Sequence, residues 1–429
     1  MAEKVEFYRE TEFKDTEIGK IPKEWEAIRF GDIVNLVKGR RPKEFANERV
    51  KDSLPYLSAE NLRNNNVVQF VKVSDDIILV NDGDLILIWD GSNAGEFFLG
   101  KRGVLSSTMV KILLKKKLYD SKFLFYLLKT KENYLKDQTK GTGIPHVDET
   151  ILRSLVIPLP PSEEQQKIAK ILSTVDEAIQ KTDDIIAKTE RLKKGLMQEL
   201  LTKGIGHKEF KDTEIGRIPE EWEVKKIREI SELSRGLSYR GQEKFAEEVS
   251  GGYLFLTLNS IKEGGGLKED GWSWIRTDRL RERHFVREGD IVIANTEQSK
   301  DGSLLGSPAL VHFPSWYKKD VAVYSHHISK LQLNINLYNQ FLFYYLSHVQ
   351  PLARKYYTGT GVWGLNLDAW SNELLIPLPP FEEQQKIAEI LSTVDKKLEI
   401  LKQEKLKLER IKQWFMEELL TGRIRVRVA

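Results

Sequence analysis

The stretch "IPLPPSEEQQKIAKILSTVD", Ile157 to Asp176, returns as "IPLPPFEEQQKIAEILSTVD", Ile376 to Asp395, with only Ser162/Phe381 and Lys170/Glu389 changed. The copies lie 219 positions apart. Two further repeats frame them. "EFKDTEIGKIPKEWE" (Glu12 to Glu26) recurs as "EFKDTEIGRIPEEWE" (Glu209 to Glu223) at an offset of 197, and "MQELLTKGI" (Met197 to Ile205) as "MEELLTGRI" (Met416 to Ile424) at 219. The chain therefore reads as entry motif, dissimilar block, long helix, twice over. Two units are too few for a solenoid, and a pseudo-two-fold tandem pair of domains is the natural reading.

The dissimilar blocks still correspond weakly. The 197 offset carries Trp25/Trp222, Ile33/Ile230, Leu36/Leu233 and Gly39/Gly236. "PYLSAENL" (Pro55 to Leu62) matches "LFLTLNSI" (Leu254 to Ile261) at 199, and "DGDLILI" (Asp82 to Ile88) matches "EGDIVIA" (Glu288 to Ala294) at 206. From Ser106/Ser325 onward the offset is 219, with Thr142/Thr360 at 218, so the second block is about 22 residues longer. One fold used twice with different loops is implied, and a scaffold kept while its loops change reads different things. The boundaries that follow are an entry motif over 1–26, a first block over 27–156, a helix region over 157–208, a second entry motif over 209–223, a second block over 224–375 and a second helix region over 376–429.

"DGDLILIW" and "EGDIVIA" are short apolar runs after a glycine turn and suit buried strands. "YDSKFLFYLLKTKENYLK" and "LYNQFLFYYLSHVQPLARKYY" read as helices with an aromatic face for the core. Each block is thus a mixed α/β or α+β globular domain. "PLPP" holds the chain extended before each long helix. Ser162 with Gln165 forms a capping box, and Phe381 replaces that cap with a ring free for packing. The first helix then runs to about Thr202, and some 40 residues give ~60 Å. Its seven-residue series is Ile168, Val175, Thr182, Thr189 and Leu196, flanked by Ile171, Leu172, Ile179, Ile185, Ile186 and Leu192. The second has Ile387, Val394, Leu401, Leu408 and Phe415, with Leu391, Leu398, Ile411 and Leu419. Two such stripes predict an antiparallel coiled coil between the heads. A ~60 Å rod covers about one and a half turns of B-DNA.

Composition excludes much. There is no cysteine, hence no disulfide, zinc-thiolate site or cysteine nucleophile, which fits a cytoplasmic protein. The N-terminal "MAEKVEFYRE" lacks the apolar core of a signal peptide, and no apolar run suits a membrane span. Net charge is only +3. Lys and Arg outnumber Asp and Glu by 21 to 16 over 27–156 and by 19 to 17 over 224–375, so any nucleic-acid surface must be a local patch. No H-E-x-x-H or P-loop is present, and the lone Gly-x-Gly at Gly141 and Gly359 is no dinucleotide fingerprint. His326 and His327 on a strand would point to opposite faces, so no metal site is expected, and no catalytic group.

"TEIGKIPKEWE", "IPLPPSEEQQKIAKILSTVD" and "KKGLMQELLTKGIG", with their second copies in the same order, resemble the specificity subunit of type I restriction–modification systems over essentially the whole chain. The resemblance implies that each block is a target recognition domain reading one half of a bipartite DNA sequence. It also implies that the helices form the spacer and dock modification (methyltransferase) subunits, two in number. Restriction (translocase/endonuclease) subunits join through the complex. S-adenosylmethionine, ATP and Mg belong to those partners, and no cofactor to this chain. The missing adenine-methyltransferase Asn/Asp-Pro-Pro-Tyr motif and Pro-Asp…Glu-x-Lys nuclease core fit a non-catalytic subunit. Two other readings stay open: a recognition subunit of a related non-translocating system, and a coiled-coil adaptor without DNA binding.

Phosphate contacts call for Lys, Arg and small polar groups, and base edges for Arg, Asn, Gln, Ser and Thr on loops. The segments after the paired glycines offer Lys38, Arg40, Arg41 and Lys43 in one block, and Arg235, Ser238, Tyr239, Arg240 and Lys244 in the other. Loops after the Gly-Asp strands offer Trp89, Ser92 and Asn93, and Asn295, Thr296, Gln298, Ser299 and Lys300. The Gly-Thr-Gly loops offer Lys140, Thr142 and His146, and Thr358, Thr360 and Trp363. Strand ends offer Ser58, Asn61, Arg63, Asn64, Thr257 and Asn259.

Overall fold

The computed structural model describes residues 5–64, 66–74, 76–116, 118–141, 143–297, 302–359 and 363–427. The chain divides into two compact units, one from 1–184 with 402–429 and one from 185–401. Both cuts fall inside long helices, Ser162–Lys203 and Phe381–Leu419, so each unit owns half of each helix.

In the first unit the entry motif is a hairpin, Phe13–Thr16 against Gly19–Pro22. Glu26–Arg29 then pairs antiparallel with Val156–Leu159, the proline-stiffened strand that leads into the first long helix. The head holds an antiparallel sheet in the order Phe97–Leu99, Leu85–Ile88, Met109–Leu114, Val34–Lys38. A second sheet runs Phe70–Lys72, Ser53–Leu57, Gly103–Leu105, Leu79–Val80, in which Gly103–Leu105 lies parallel to Ser53–Leu57. Leu85–Ile88 is buried at every position, as an apolar run after a glycine turn should be. Helix Ser121–Lys129 starts where the Asp120 carboxylate accepts from the N–H groups of Lys122 and Phe123. Its Phe123, Leu124 and Leu127 share one core with Ile168, Ala169 and Leu172 of the first long helix, Leu419 at the end of the second, and Leu420 just after it. Strand Phe7–Arg9 pairs with Ile424–Val426 and joins the unit's two stretches of chain.

The second unit repeats the plan. Hairpin Phe210–Thr213/Gly216–Pro219 precedes Glu223–Lys226, which pairs with Leu375–Leu378. One sheet runs Ser231–Arg235, Ile328–Leu333, Ile291–Ala294, Pro308–Leu310. The other has five strands, Lys244–Phe245, Ser273–Ile275, Tyr253–Leu256, Val321–Tyr324, Phe285–Arg287, again with one parallel pair in the middle. Helix Asn339–Val349 places Phe341, Leu342 and Leu346 against Ile387, Ala388 and Leu391, with Leu200 and Leu201 in the same core. With one parallel strand pair per head and the rest antiparallel, alongside helices, the heads are α+β.

The helices pair antiparallel in each unit. In the first, Asp176 bridges to Lys412 (2.6 Å) and Asp183 to Lys405 (2.7 Å). In the second, Lys193 bridges to Asp395 (2.6 Å). Ile168, Val175, Ile179, Ile186 and Leu196, and Ile387, Val394, Leu401, Leu408 and Phe415, are buried or half-buried along this seam. Ile185, Leu192 and Ile411, expected beside it, are exposed instead, because two straight stripes cover only one face of each helix.

The twenty-residue repeat is the joint between head and helix pair. Glu164, fully buried, accepts from the Trp25 indole N–H (3.0 Å) and from Arg425 Nε (3.0 Å) and Nη2 (2.9 Å). Glu383 accepts from the Trp222 indole N–H (3.0 Å) and the Ile205 N–H (2.8 Å), and His207 Nε2 lies 2.8 Å away. Gln165 makes no capping box with Ser162. Its Oε1 accepts from the Asp120 N–H, and its Nε2 donates to the carbonyls of Leu118 and Pro160, which ties head to helix. Gln384 does likewise with the Tyr338 N–H and the Pro379 carbonyl, and the Phe381 ring packs edge-on against Tyr338. Finally Tyr126 donates to Asp176 (2.7 Å) and Tyr344 to Asp395 (2.8 Å), so each rod aspartate holds a head tyrosine and a lysine of the opposite helix. Burial and the neighbouring carboxylate push both phenols far above their usual range.

Candidate nucleic-acid interface

Loops that are distant in sequence meet at one end of each head. The paired glycines allow it. A Cβ on Gly39 would lie 2.0 Å from the Ser106 carbonyl oxygen, and one on Gly236 2.2 Å from that of Tyr324. Only glycine lets the strand end pass so close to the turn that follows the second sheet.

In the first head, Gly39 N–H donates to Met109 and Trp89 N–H to Thr108. Lys140 and His146 exchange backbone hydrogen bonds (3.0 and 2.8 Å), and Gly91 N–H donates to Pro145. Lys38 bridges to Asp90 (2.9 Å) and Lys140 to Asp148 (2.6 Å). The structure thus brings Lys38, Trp89, Lys140 and His146 together, with Asp90 among them. The Lys140 bridge and the N–H groups of Thr150 and Ile151 hold the Asp148 carboxyl below its usual range, so this anchor stays ionised. Arg40, Arg41, Ser92 and Asn64 are exposed, Asn93 is half-buried, and Lys43 is an exposed partner of Asp76. Arg63 is instead engaged by Glu96, which Lys136 also bridges (2.9 Å). Asn61 is buried, its N–H accepted by the half-buried Ser58 hydroxyl (3.1 Å) and its Oδ1 without a partner among the described residues. Thr142 lies outside the described residues.

In the second head, the same meeting is built as a small sheet, Thr296–Glu297 with Trp363–Leu365 with Tyr357–Thr358. The rings of Tyr357 and Trp363 lie 4.1 Å apart. Asn295 is buried and serves the scaffold: its side-chain amide donates to the His326 carbonyl (3.2 Å) and the Ser329 hydroxyl (2.9 Å). Thr257 is buried too, its N–H donated to Ser260 Oγ. Glu297 is buried because its carboxylate accepts from the N–H groups of Leu304 and Leu305. Arg235, Ser238, Arg240, Asn259 and Thr358 are exposed, and Lys244 sits half-buried in an edge strand. Beside that strand Glu243 accepts from the Arg240 N–H, Arg279 and Thr277, which pull its carboxyl down to about 2. Gln298, Ser299, Lys300 and Thr360 lie outside the described residues.

His326 and His327 do not lie on a strand. They form the turn between Val321–Tyr324 and Ile328–Leu333, and their rings sit 3.9 Å apart rather than on opposite faces. In a turn adjacent side chains can share one side, which the alternation of a strand forbids. Among the described residues no group of three or more His, Asp or Glu could hold a metal ion, and no helix is long and apolar enough to cross a membrane.

The comparisons agree with this duplicated geometry. The family model "Type I restriction modification DNA specificity domain" matches twice, over residues 22–191 and 219–410. The chain is 39% identical over 429 residues to the type I restriction enzyme MjaVIII specificity subunit of Methanocaldococcus jannaschii, covering 99% of this chain and 98% of that one. It is 30% identical to the putative MjaX specificity subunit of the same organism, covering 99% of each. A crystal structure of the type I restriction–modification S subunit from M. genitalium aligns over 92% of this chain and 96% of that one, with a TM-score of 0.57 at 16% identity, a likeness of fold. Two matched domains, two copies of one joint and two differing loop ends place this chain in the family of type I restriction–modification DNA specificity subunits.

Proposed function

We propose that the chain is the non-catalytic recognition subunit of a type I complex, in which each head reads one half of an asymmetric bipartite DNA target. The supporting observation is the contrast within each repeat. The joint residues recur as Trp25/Trp222, Glu164/Glu383, Gln165/Gln384 and Asp176/Asp395, whereas the loop ends share almost no side chains. Folding constraints account for the first set; different DNA half-sites account for the second. The divisions 27–156 and 224–375 are the two recognition domains in this reading. Lys38, Arg40, Arg41, Lys140 and His146 serve the first head, and Arg235, Ser238, Tyr239, Arg240, Thr296, Thr358 and Trp363 the second. The helix pair is the spacer and the platform for two methyltransferase subunits, through which restriction subunits join. Adenine methylation and cleavage belong to those partners.

The test is to co-express the chain with its modification subunits and map methylated adenines genome-wide. A single motif of two unlike halves at a fixed gap is the expected result. Sequence-independent methylation, or none from an assembled complex, would overturn it.

A further inference from the structure

We propose that the His326–His327 turn is a sequence-reading element of the second head, whose imidazoles contact base edges in the second half-site. The inference rests on the DNA-reading function proposed above and adds residues that it does not require.

The turn stands where three loop segments converge. The Tyr239 ring, from the segment after Gly236, lies 6.0 Å from the His326 ring. Thr296 Oγ1 is 2.8 Å from His327 Nδ1, and Thr296 pairs in turn with Gly364 of the Trp363 strand. The turn is held rigidly from below. Its His326 N–H donates to Leu237, its His327 carbonyl accepts from the Asn295 N–H, and the Asn295 amide grips the His326 carbonyl.

The first head has the same turn with other side chains. Trp89 N–H donates to the Thr108 carbonyl as Asn295 N–H does to that of His327, and Met109 N–H donates to Ser106 as Ile328 N–H does to Ser325. At matched backbone positions Ser107–Thr108 therefore becomes His326–His327. The fold does not use all of the hydrogen-bonding capacity of the two imidazoles. His326 Nδ1 is buried without a partner among the described residues, a state that costs stability rather than adding it. Preorganised polar rings, in a turn that the first head builds without them, are suited to reading a ligand.

The chemistry favours bases over phosphates. Burial, with the neighbouring His326 as a smaller cause, holds His327 below the usual imidazole range. A neutral ring makes a directional hydrogen bond and not a charge contact, and with Nδ1 on Thr296 the Nε2 atom is the one left to make it.

The test uses the full chain in complex with its methyltransferase subunits. The double variant His326→Ser with His327→Thr copies the first head's turn. The methylation motif should keep its first half and lose discrimination at one or two positions of the second, with methylation of the original motif down by about tenfold to a hundredfold. The single variant His327→Gln, alongside thermal unfolding, covers the case in which the double variant fails to fold, and should shift the same positions. An unchanged second half-site in either folded variant would overturn the inference, as would a uniform loss across all sequences, which marks a phosphate or scaffold role. A wild-type complex that gives no bipartite motif would overturn the underlying reading instead.

Discussion

The two joints solve one problem with different charges. In the second unit, a single stretch of chain runs from helix end to entry hairpin through Gly204 to Glu209, so the parts of the joint are covalently tethered. There Glu383 meets an indole N–H, a backbone N–H and a histidine. In the first unit, the helix end and the hairpin come from stretches far apart in the chain. There Glu164 meets the equivalent indole, that of Trp25, and the guanidinium of Arg425, which also reaches Glu10 (2.8 Å) and Glu24 (2.9 Å). An untethered closure carries an entropy cost that a tethered one avoids, and a buried bidentate cation offsets it. One carboxylate–indole bond is common to both; the cation records how the chain arrives.

Arg425→Ala should have the largest effect. It strands the fully buried Glu164 and should destabilise the first unit by about 3–5 kcal/mol. His207→Ala leaves Glu383 its two N–H donors and should cost about 1–3 kcal/mol. Denaturant unfolding of both variants compares them, and equal costs would break the contrast. Next come Trp25→Phe and Trp222→Phe. Each removes one N–H bond to a carboxylate at about 1.5–3 kcal/mol, and the two should match, since this part of the joint is common. Unequal losses would show that the Arg425 cation reaches further than its hydrogen bonds.

Acid should weaken the first joint. Burial works to raise the Glu10 carboxyl, but the Arg425 hydrogen bond and the N–H groups of Glu12 and Thr11 outweigh it and hold it below its usual range. A depressed folded value contributes stability above the unfolded pKa of about 4.3, and loses it as pH falls through the folded value. Stability of the first unit should therefore decline below about pH 4.3, and Glu10→Gln should flatten that slope in a pH series of thermal unfolding. The smallest effect belongs to Lys405→Ala, which removes a half-exposed bridge to Asp183 and should cost about 0.2–1 kcal/mol.

The places where loops meet at the candidate site were partly legible from linear spacing. Gly39/Gly236 and the loops after the Gly-Asp strands were findable because backbone geometry leaves a local residue signature. Side-chain destinations were not. Asn295 and Thr296 are neighbours in one polar loop, yet the first is buried under the His326 carbonyl and the second faces His327. Likewise Arg63, a strand-end candidate for DNA contact, is bound by Glu96 and the ring of Phe98, residues over thirty positions away.

By itself the sequence determined the duplication, the alternation of kept and changed segments, and the heptad stripes, because repeats and periodicity are properties of order along the chain. The tertiary structure alone decided what the repeat is for at each residue. Glu164 became a buried anchor, Gln165 a clamp in place of a cap, and Asp176 a bridge between head and helix pair. It also decided that His326 and His327 stand together. Their partners arrive from other strands, and a contact between residues distant in the chain leaves no mark on either one's neighbours.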